Sequence, residues 1–271
     1  MRVGREKRSI VTYLALYGCV STGLVYTAIG TIAILSFLKI KQGGADESSL
    51  VAYLDKFVVG RIAIWIILLG MVSYIIWRIY EAIKDPYGYG NEAGGMAKRT
   101  GIGLSSIADA LIAFTAVQAL FGIGSLAESG PPLDQRKLVG NLLQEGWGVW
   151  LVIGLGFIIV ATALVQLIYG ITSGYKERMN VEHLRSWTRK SFHALAWFGY
   201  AARAIILGII GFFFIKAGIT KNAQLVVNTD KAFDFIGDHV GHLYFILVAL
   251  GTISYGLFMM VLGFYFDSDK D

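Results

Sequence analysis

The sequence predicts an all-α membrane protein: a six-transmembrane-helix bundle of three parallel two-helix repeats, pseudo-threefold about the membrane normal. Three observations predict this fold class. Six apolar stretches are each long enough to cross a bilayer, the charged residues collect in bands between them, and the chain resembles itself when it is shifted by 181 residues.

The composition excludes an ordinary soluble domain. Hydrophobic residues make up 55% of the 271 residues, charged residues make up 16%, and the mean hydropathy is +0.60. Soluble domains carry roughly a quarter charged residues, so this chain has too few polar side chains to cover its own core. Cys19 is the single cysteine and lies within an apolar stretch, which excludes a disulfide framework.

Six stretches reach the roughly 20 apolar residues that are needed to cross the hydrocarbon core. They cover residues 13–38, 60–82, 102–123, 149–171, 195–217 and 243–266. The apolar runs are continuous rather than alternating, so each is predicted to be a helix. The first stretch is too long for a signal-peptide core, and we expect it to be retained.

The distribution of Lys and Arg predicts the orientation. With Arg61 at the start of the second span counted in the loop before it, 13 of the Lys and Arg outside the spans lie on the side of the chain termini and 8 on the opposite side. The positive-inside rule therefore places both termini in the cytoplasm. The predicted organisation is a basic cytoplasmic N-terminus at 1–12, repeat 1 at 13–82, repeat 2 at 102–171, a basic amphipathic cytoplasmic loop at 172–194, and repeat 3 at 195–266.

Coincident residues indicate the repeats. When the first third is shifted by 181 residues, the matching positions are Gly18 with Gly199, Gly30 with Gly211, Gly60 with Gly241, Gly70 with Gly251, and Tyr74 with Tyr255. A middle copy fits less closely, with Gly101 matching Gly18. Each copy crosses the membrane twice, so all three have the same orientation, as in parallel repeats related by an axis along the membrane normal.

Three short segments within the repeats also resemble those of a known family. Residues 77–86 read Trp-Arg-Ile-Tyr-Glu-Ala-Ile-Lys-Asp-Pro, residues 199–204 read Gly-Tyr-Ala-Ala-Arg-Ala, and residues 166–170 read Gln-Leu-Ile-Tyr-Gly. They resemble the tandem two-helix bacterial membrane domain known as domain of unknown function 1206, over about residues 13–266. Thr22 and Ser105 stand where the third copy has Arg203. The resemblance implies six spans in a bacterial inner membrane and supplies no activity.

Asp109 and Arg203 are the candidates for an intramembrane polar or ion pair. Each lies about two turns inside an apolar stretch, where a carboxylate costs on the order of 3 kcal/mol. Either the two are a coupled pair that gates a polar path or binds a proton, or they are buried polar groups that fix helix register. Gln118 and Gln166 either line the same path or form interhelical hydrogen bonds.

Two groups of residues are candidates for contact with lipid or a partner. Arg78 and Glu81 lie one turn apart near the end of the second span. They either bind an anionic lipid or a partner, or form a local ion pair while the arginine reaches towards the interface. The loop at 172–194 mixes basic and apolar residues, which favours an interfacial segment drawn to anionic lipid. Its candidate contact residues are Arg185, Trp187, Arg189 and Lys190.

The first helix carries small residues at every fourth position, namely Ala15, Cys19, Gly23, Thr27 and Thr31. Such a stripe allows another helix to approach closely. It serves either packing within the bundle or contact with a separate protein.

Asp234, Asp238 and His242 are the candidates for metal ligands, because a continuous helix would place them on one face. No sulfur ligand joins them, and Asp is ordinary near the start of a helix. We therefore predict no metal site.

The remaining expectations follow from missing motifs. The sequence has no Walker loop, dinucleotide fingerprint or metalloprotease signature, so we predict no enzyme and no cofactor. The basic residues lie in loops without aromatic interleaving, so no nucleic-acid partner is expected. The expected partners are the lipid bilayer and either membrane-protein subunits or further copies of the chain. The leading hypothesis is an accessory or scaffold subunit acting through helix–helix contacts, and the alternative is a small ion or solute channel or transporter using Asp109 and Arg203.

Overall fold

The computed structural model describes the backbone of residues 2–40, 44–85, 88–121, 133–179 and 185–266. Side chains at 2–11, 97–98, 104–112, 115, 118–119 and 177–178 lie outside the described part. Within it, the α-helices are α1 (Arg2–Phe37), α2 (Glu47–Asp55), α3 (Val58–Lys84), α4 (Ala93–Phe121), α5 (Leu133–Gln144), α6 (Gly146–Ile171), α7 (Ser186–Thr220), α8 (Thr229–Phe235) and α9 (His242–Phe264). The β-structure of these residues is one isolated bridge between Met179 and Phe266.

Five of the described helices are long and apolar enough to cross a membrane. These are α1 over Thr12–Phe37, α3 over Val58–Lys84, α6 over Gly146–Ile171, α7 over Ser186–Thr220 and α9 over His242–Phe264. The predicted multi-pass helical membrane architecture is therefore confirmed. The predicted span at 102–123 falls on α4, where many side chains lie outside the described residues.

The long helices pack in a closed circuit. Along this circuit α1 contacts α3, α3 contacts α4, α4 contacts α6, α6 contacts α7, α7 contacts α9, and α9 returns to α1. The contact between α4 and α6 is the least extensive of the six among the described residues. Each helix of the circuit thus has a neighbour from its own repeat and another from an adjacent repeat.

Matching glycines make matching helix contacts in the first and third repeats. A Cβ added at Gly18 would lie 2.5 Å from the Cβ of Tyr74, and one added at Gly199 would lie 2.5 Å from the Cα of Tyr255. These two pairs are separated by the same 181-residue shift that the sequence shows. Glycine is required at both crossings because any side chain would force the helices apart.

The small-residue stripe of α1 packs against α9. Ala15 and Cys19 are fully buried, and a Cβ added at Gly23 would lie 2.6 Å from the carbonyl oxygen of Gly256. Of the two alternatives for this stripe, the contacts favour packing within the bundle.

The three segments that link the two helices of each repeat meet on one side of the bundle. We call this the hairpin side; its described residues are 38–40, 44–57, 133–145 and 221–241. Arg136 of the second segment donates from Nε to the carbonyl oxygen of Val226 in the third at 3.0 Å. The first and third segments are joined by hydrogen bonds between residues 45–47 and 228–230. The opposite end of the bundle, which holds the start of α1 and the end of α9, is called the terminal side.

On the terminal side, α7 begins earlier than the apolar stretch suggests. Residues 186–194, predicted to belong to the basic loop, form the first turns of α7, and residues 174–178 form a 3₁₀ turn. Hydropathy marks only the part of a helix that lies in lipid, and Lys and Arg are themselves good helix formers. For the same reason α1 begins at Arg2, well inside the predicted N-terminal segment 1–12.

Candidate functional site

The N-termini of α2 and α8 face each other on the hairpin side. Three hydrogen bonds connect them: Ala45 N to Asp230 Oδ1 at 2.7 Å, Asn228 Nδ2 to Asp46 Oδ2 at 2.7 Å, and Thr229 Oγ1 to Glu47 Oε2 at 3.3 Å. We call this set the cap interface; its residues are Ala45, Asp46, Glu47, Asn228, Thr229 and Asp230. It joins the first repeat to the third.

The side chains of Asp46 and Asn228 each cap their own helix and bind the other helix. Asp46 accepts the backbone N–H of Ser49 at 3.0 Å through Oδ1, which leaves Oδ2 for Asn228. Asn228 accepts the backbone N–H of Lys231 at 3.1 Å and donates through its amide nitrogen to Asp46. Asp and Asn are favoured at N-caps because they accept these otherwise unpaired N–H groups. The amide suits position 228 because it carries both an acceptor and donors.

Two of the three carboxylates of the cap interface are buried, and that of Glu47 is half-buried. Asp46 is 4% exposed and Asp230 is 9% exposed, and burial raises the pKa of both. Burial also raises the pKa of Glu47 from 4.5 to about 7, and the neighbouring charge of Asp46 adds to the effect. Three acidic groups thus lie together where ionisation of each is disfavoured.

Arg203 of α7 lies inside the bundle with two tyrosines. Its side chain is buried, and Nη1 donates to the hydroxyl of Tyr255. The guanidinium carbon lies 4.6 Å from the ring centroid of Tyr26 and 4.7 Å from that of Tyr255, within cation–π range. The positive charge of Arg203 also acts on Glu47, where it lowers the pKa and opposes part of the effect of burial. The span interior and the cap interface are therefore electrostatically coupled.

Aromatic rings fill the interior between Arg203 and the terminal side. The ring centroid of Tyr200 lies 5.3 Å from that of Tyr255 and 5.2 Å from that of Tyr169. Tyr175, which follows α6, lies 5.1 Å from Phe258 of α9. Rings at these separations pack edge to face in dense cores. This half of the described interior is a packed aromatic cluster.

Of the four predicted intramembrane polar residues, two have described side chains. Arg203 is buried, as above, and Gln166 of α6 is 8% exposed, with its amide oxygen unpaired among the described residues. Asp109 and Gln118 lie on α4, and their side chains are outside the described residues. A pairing of Asp109 with Arg203 stays a prediction.

Arg78 and Glu81 form the local pair that was one of the two alternatives. Arg78 Nη1 lies 3.2 Å from Glu81 Oε2, and its guanidinium carbon lies 5.2 Å from the Tyr74 ring centroid and 5.6 Å from that of Trp77. A contact of this pair with lipid or a partner stays a prediction, and within the bundle Glu81 is 1% exposed. It faces inward because it follows Tyr74 and Trp77, both buried, along one face of α3.

The basic segment at the start of α7 is exposed. Its residues Arg185, Trp187, Arg189 and Lys190 are all solvent-accessible on the terminal side. They are free of the bundle core, so contact with lipid or a partner stays a prediction for them.

Asp234, Asp238 and His242 do not converge. Asp234 accepts from Lys231 Nζ at 2.6 Å, Asp238 is exposed, and the His242 ring packs on Phe37 at 5.2 Å. The assumed continuous helix is interrupted by a π-helical turn at Ile236–Val240 and by Gly241 at a φ of 125°, which changes the direction of the side chains. Among the described residues no group of three His, Cys, Asp or Glu side chains could hold a metal ion.

The cap interface was not predicted from the sequence, although a signal for it is present there. Asp46 precedes Glu47-Ser48-Ser49, and Asn228 precedes Thr229-Asp230, each just before a short apolar segment. These are N-cap patterns, and they lie at corresponding places in the first and third repeats. Their facing each other depends on the packing of the hairpins and could not be inferred from local sequence.

Comparisons with known proteins agree with the repeat pattern. The profile of a family described as Domain of Unknown Function (DUF1206) matches residues 17–85, 100–173 and 198–265. The chain is also similar to the uncharacterized protein YxxB of Bacillus subtilis (strain 168), with 27% identity over 273 residues that cover 97% of this chain and 94% of the relative. No solved structure matches the chain.

Proposed function

The chain belongs to the family described as Domain of Unknown Function (DUF1206), and we propose that it is a six-span membrane protein acting by contact, as an accessory or scaffold subunit. In this proposal α4, which is 29 residues long, supplies the third span beside the five other spanning helices. The three matched segments support it, because each contains two of the six long helices.

The proposed arrangement is pseudo-threefold about the membrane normal. Its support is the closed packing circuit together with the meeting of all three hairpin segments on one side. The equivalent glycine contacts of Gly18 and Gly199 add to it. The proposed location is a bacterial inner membrane with both termini in the cytoplasm, supported by the excess of Lys and Arg on the terminal side.

Two glycines that pack against no described atom carry the proposal that the protein acts by contact. A Cβ added at Gly154 of α6 or at Gly208 of α7 would meet no described atom within 4 Å. Glycine inside a helix is unfavourable by roughly 0.5–1 kcal/mol relative to alanine, and the bundle gains no close approach at these sites. In membranes, small residues on a helix face allow a further helix to pack there. Large exposed apolar side chains such as Trp150 and Phe157 surround Gly154 on the same helix.

The test is native extraction in a mild detergent, followed by size exclusion and mass spectrometry of the copurifying proteins. The proposal predicts a stoichiometric membrane partner that is lost on Gly154→Leu or Gly208→Leu. Because both positions have open space, these variants leave the bundle itself intact, which the elution volume of the isolated protein checks. Recovery of the wild type alone in every mild extraction would contradict the proposal.

A small ion or solute transporter is the second candidate. Arg203 favours it, because a buried cation in a span that acts electrostatically on Glu47 of the hairpin side is typical of polar routes. The transporter hypothesis predicts that Arg203→Ala and Asp109→Asn each abolish an ion or solute flux in reconstituted vesicles. Unchanged flux in both variants, for every ion and solute assayed, would contradict the transporter hypothesis.

A further inference from the structure

We propose that the cap interface is a proton-operated latch, which holds α2 against α8 while Glu47 is protonated and releases them when Glu47 ionises. This inference is independent of the accessory role, because it concerns how two hairpins of one chain are joined.

The geometry of a latch is present at the cap interface. The starts of two short helices are joined by three hydrogen bonds that involve side chains, between residues more than 180 positions apart in sequence. Each bond has a partner from the first hairpin and a partner from the third. The faces behind them are apolar and buried, with Leu50 and Val51 on α2 and Ala232 and Phe233 on α8. Breaking these hydrogen bonds would therefore allow two of the three segments of the hairpin side to separate.

Glu47 is the residue whose charge decides the strength of the latch. When it is protonated, the buried interface carries only the charges of Asp46 and Asp230. When it ionises, a further negative charge lies half-buried beside Asp46 of the same helix, and the loss of water around it disfavours the closed form. Burial raises the pKa of Glu47 to about 7, so the change falls within the physiological range.

The sign of the effect follows from the direction of that pKa change. The closed interface raises the pKa above the ordinary value of 4.5, so protons bind the closed form more tightly than an open one. Closure is therefore strongest below pH 4.5, and it weakens as the pH rises to about 7. Burial raises the pKa of Asp46 and Asp230 too, which acts in the same direction.

The other charged groups around Glu47 modify this behaviour. Arg203 on α7 favours the ionised form of Glu47 and so limits the loss of closure. On α8, Lys231 lies 2.6 Å from Asp234 and 4.0 Å from Asp230. Of the helices that pack on α2, α1 contributes exposed Lys39 beyond its end and α3 contributes Arg61, which pairs with Asp55 at 2.9 Å. On α4, the side chains at 104–112 lie outside the described residues.

The experiment measures the separation of the two hairpins as a function of pH. Spin labels are attached at Tyr53→Cys and Asp238→Cys, two exposed positions on either side of the interface, in a Cys19→Ala background. Electron paramagnetic resonance distance measurements are made on the full chain in lipid nanodiscs from pH 4.5 to 8.5. The proposal predicts a single short distance at pH 4.5 and a longer or broader distribution that grows towards pH 7 and is constant above pH 8.

Two further variants make the interpretation specific. Glu47→Gln is expected to keep the short distance at every pH, because the amide is a neutral mimic of the protonated acid. Asn228→Ala is expected to give the long distribution even at pH 4.5, because it removes the bond to Asp46. The proposal is overturned if the wild-type distance does not change with pH, or if Glu47→Gln retains the wild-type pH dependence. Unaltered elution volume and helical circular dichroism confirm that each variant is folded.

Discussion

Replacing Glu47 by glutamine is expected to stabilise the protein at alkaline pH and to leave its stability unchanged at acid pH. Glutamine keeps the size of the side chain and an oxygen that can accept the hydroxyl of Thr229. It removes the negative charge that burial and Asp46 disfavour. The difference between the two proteins therefore isolates the ionisation of this single group from the other carboxylates of the cap interface.

The magnitude follows from the pKa of Glu47. Since burial raises the pKa of Glu47 from 4.5 to about 7, ionised Glu47 costs the folded state at most about 3.5 kcal/mol, at roughly 1.4 kcal/mol for each tenfold change. Partial access of water to the hairpin side reduces this figure. The wild type holds the full contribution below pH 4.5 and loses it as the pH rises to about 7. The advantage of Glu47→Gln should therefore grow from near zero at pH 4.5 to its full value at pH 8.

The assay is thermal unfolding in detergent, followed by tryptophan fluorescence, for both proteins at pH 4.5 and pH 8. For a chain of this size roughly 2–4 °C of Tm corresponds to 1 kcal/mol, so the variant should unfold up to about 10 °C higher at pH 8. Glu145→Gln is the matched control, because Glu145 is exposed on the same side of the bundle. An equal Tm difference at the two pH values, or a lower Tm of the variant at pH 8, would refute the reasoning.

Three other substitutions test separate parts of the structure. Arg203→Gln removes the charge that stabilises ionised Glu47, so latch release above pH 7, read from the spin-label distances, should be more complete than in the wild type. Gly18→Ala should lower the Tm by an amount equivalent to about 1–3 kcal/mol because of overpacking at a helix crossing, whereas Gly154→Ala, with open space around it, should leave the Tm unchanged or slightly higher. Asn228→Ala should cost about 1–2 kcal/mol, measured by the same unfolding assay at pH 4.5, since it removes both a helix cap and a buried hydrogen bond.

The long helices were predictable because each carries its own signal. A run of about 20 apolar residues identifies a membrane span whatever lies beside it, and α1, α3, α6, α7 and α9 were found in this way. The repeats were predictable for a related reason. A glycine at a helix crossing, such as Gly18 or Gly199, has no tolerated replacement, so the periodicity remains visible in the sequence.

The candidate site was less predictable because it depends on contacts between distant segments. Arg203 could be singled out as a charge within an apolar stretch, but its partners Tyr26 and Tyr255 come from two other helices. Glu81 looked like an interfacial residue by position, yet it is buried because of the face of α3 on which it lies. Helices as short as α2 and α8 carry too few residues for a periodic pattern, so the cap interface could not be located from the sequence.

The parallel arrangement of three two-helix repeats is the central claim, and sidedness of labelling tests it most directly. Single cysteines are placed in a Cys19→Ala background at exposed positions, one in each hairpin segment and one on the terminal side, and labelled from outside intact cells with a membrane-impermeant maleimide. The positions are Lys56, Lys137, Asp238 and Arg185. Labelling is expected at the three hairpin positions and not at Arg185 until the membrane is permeabilised. Labelling of Lys137 on the opposite side from Lys56 would show that α4 does not span the membrane and would contradict the six-span arrangement.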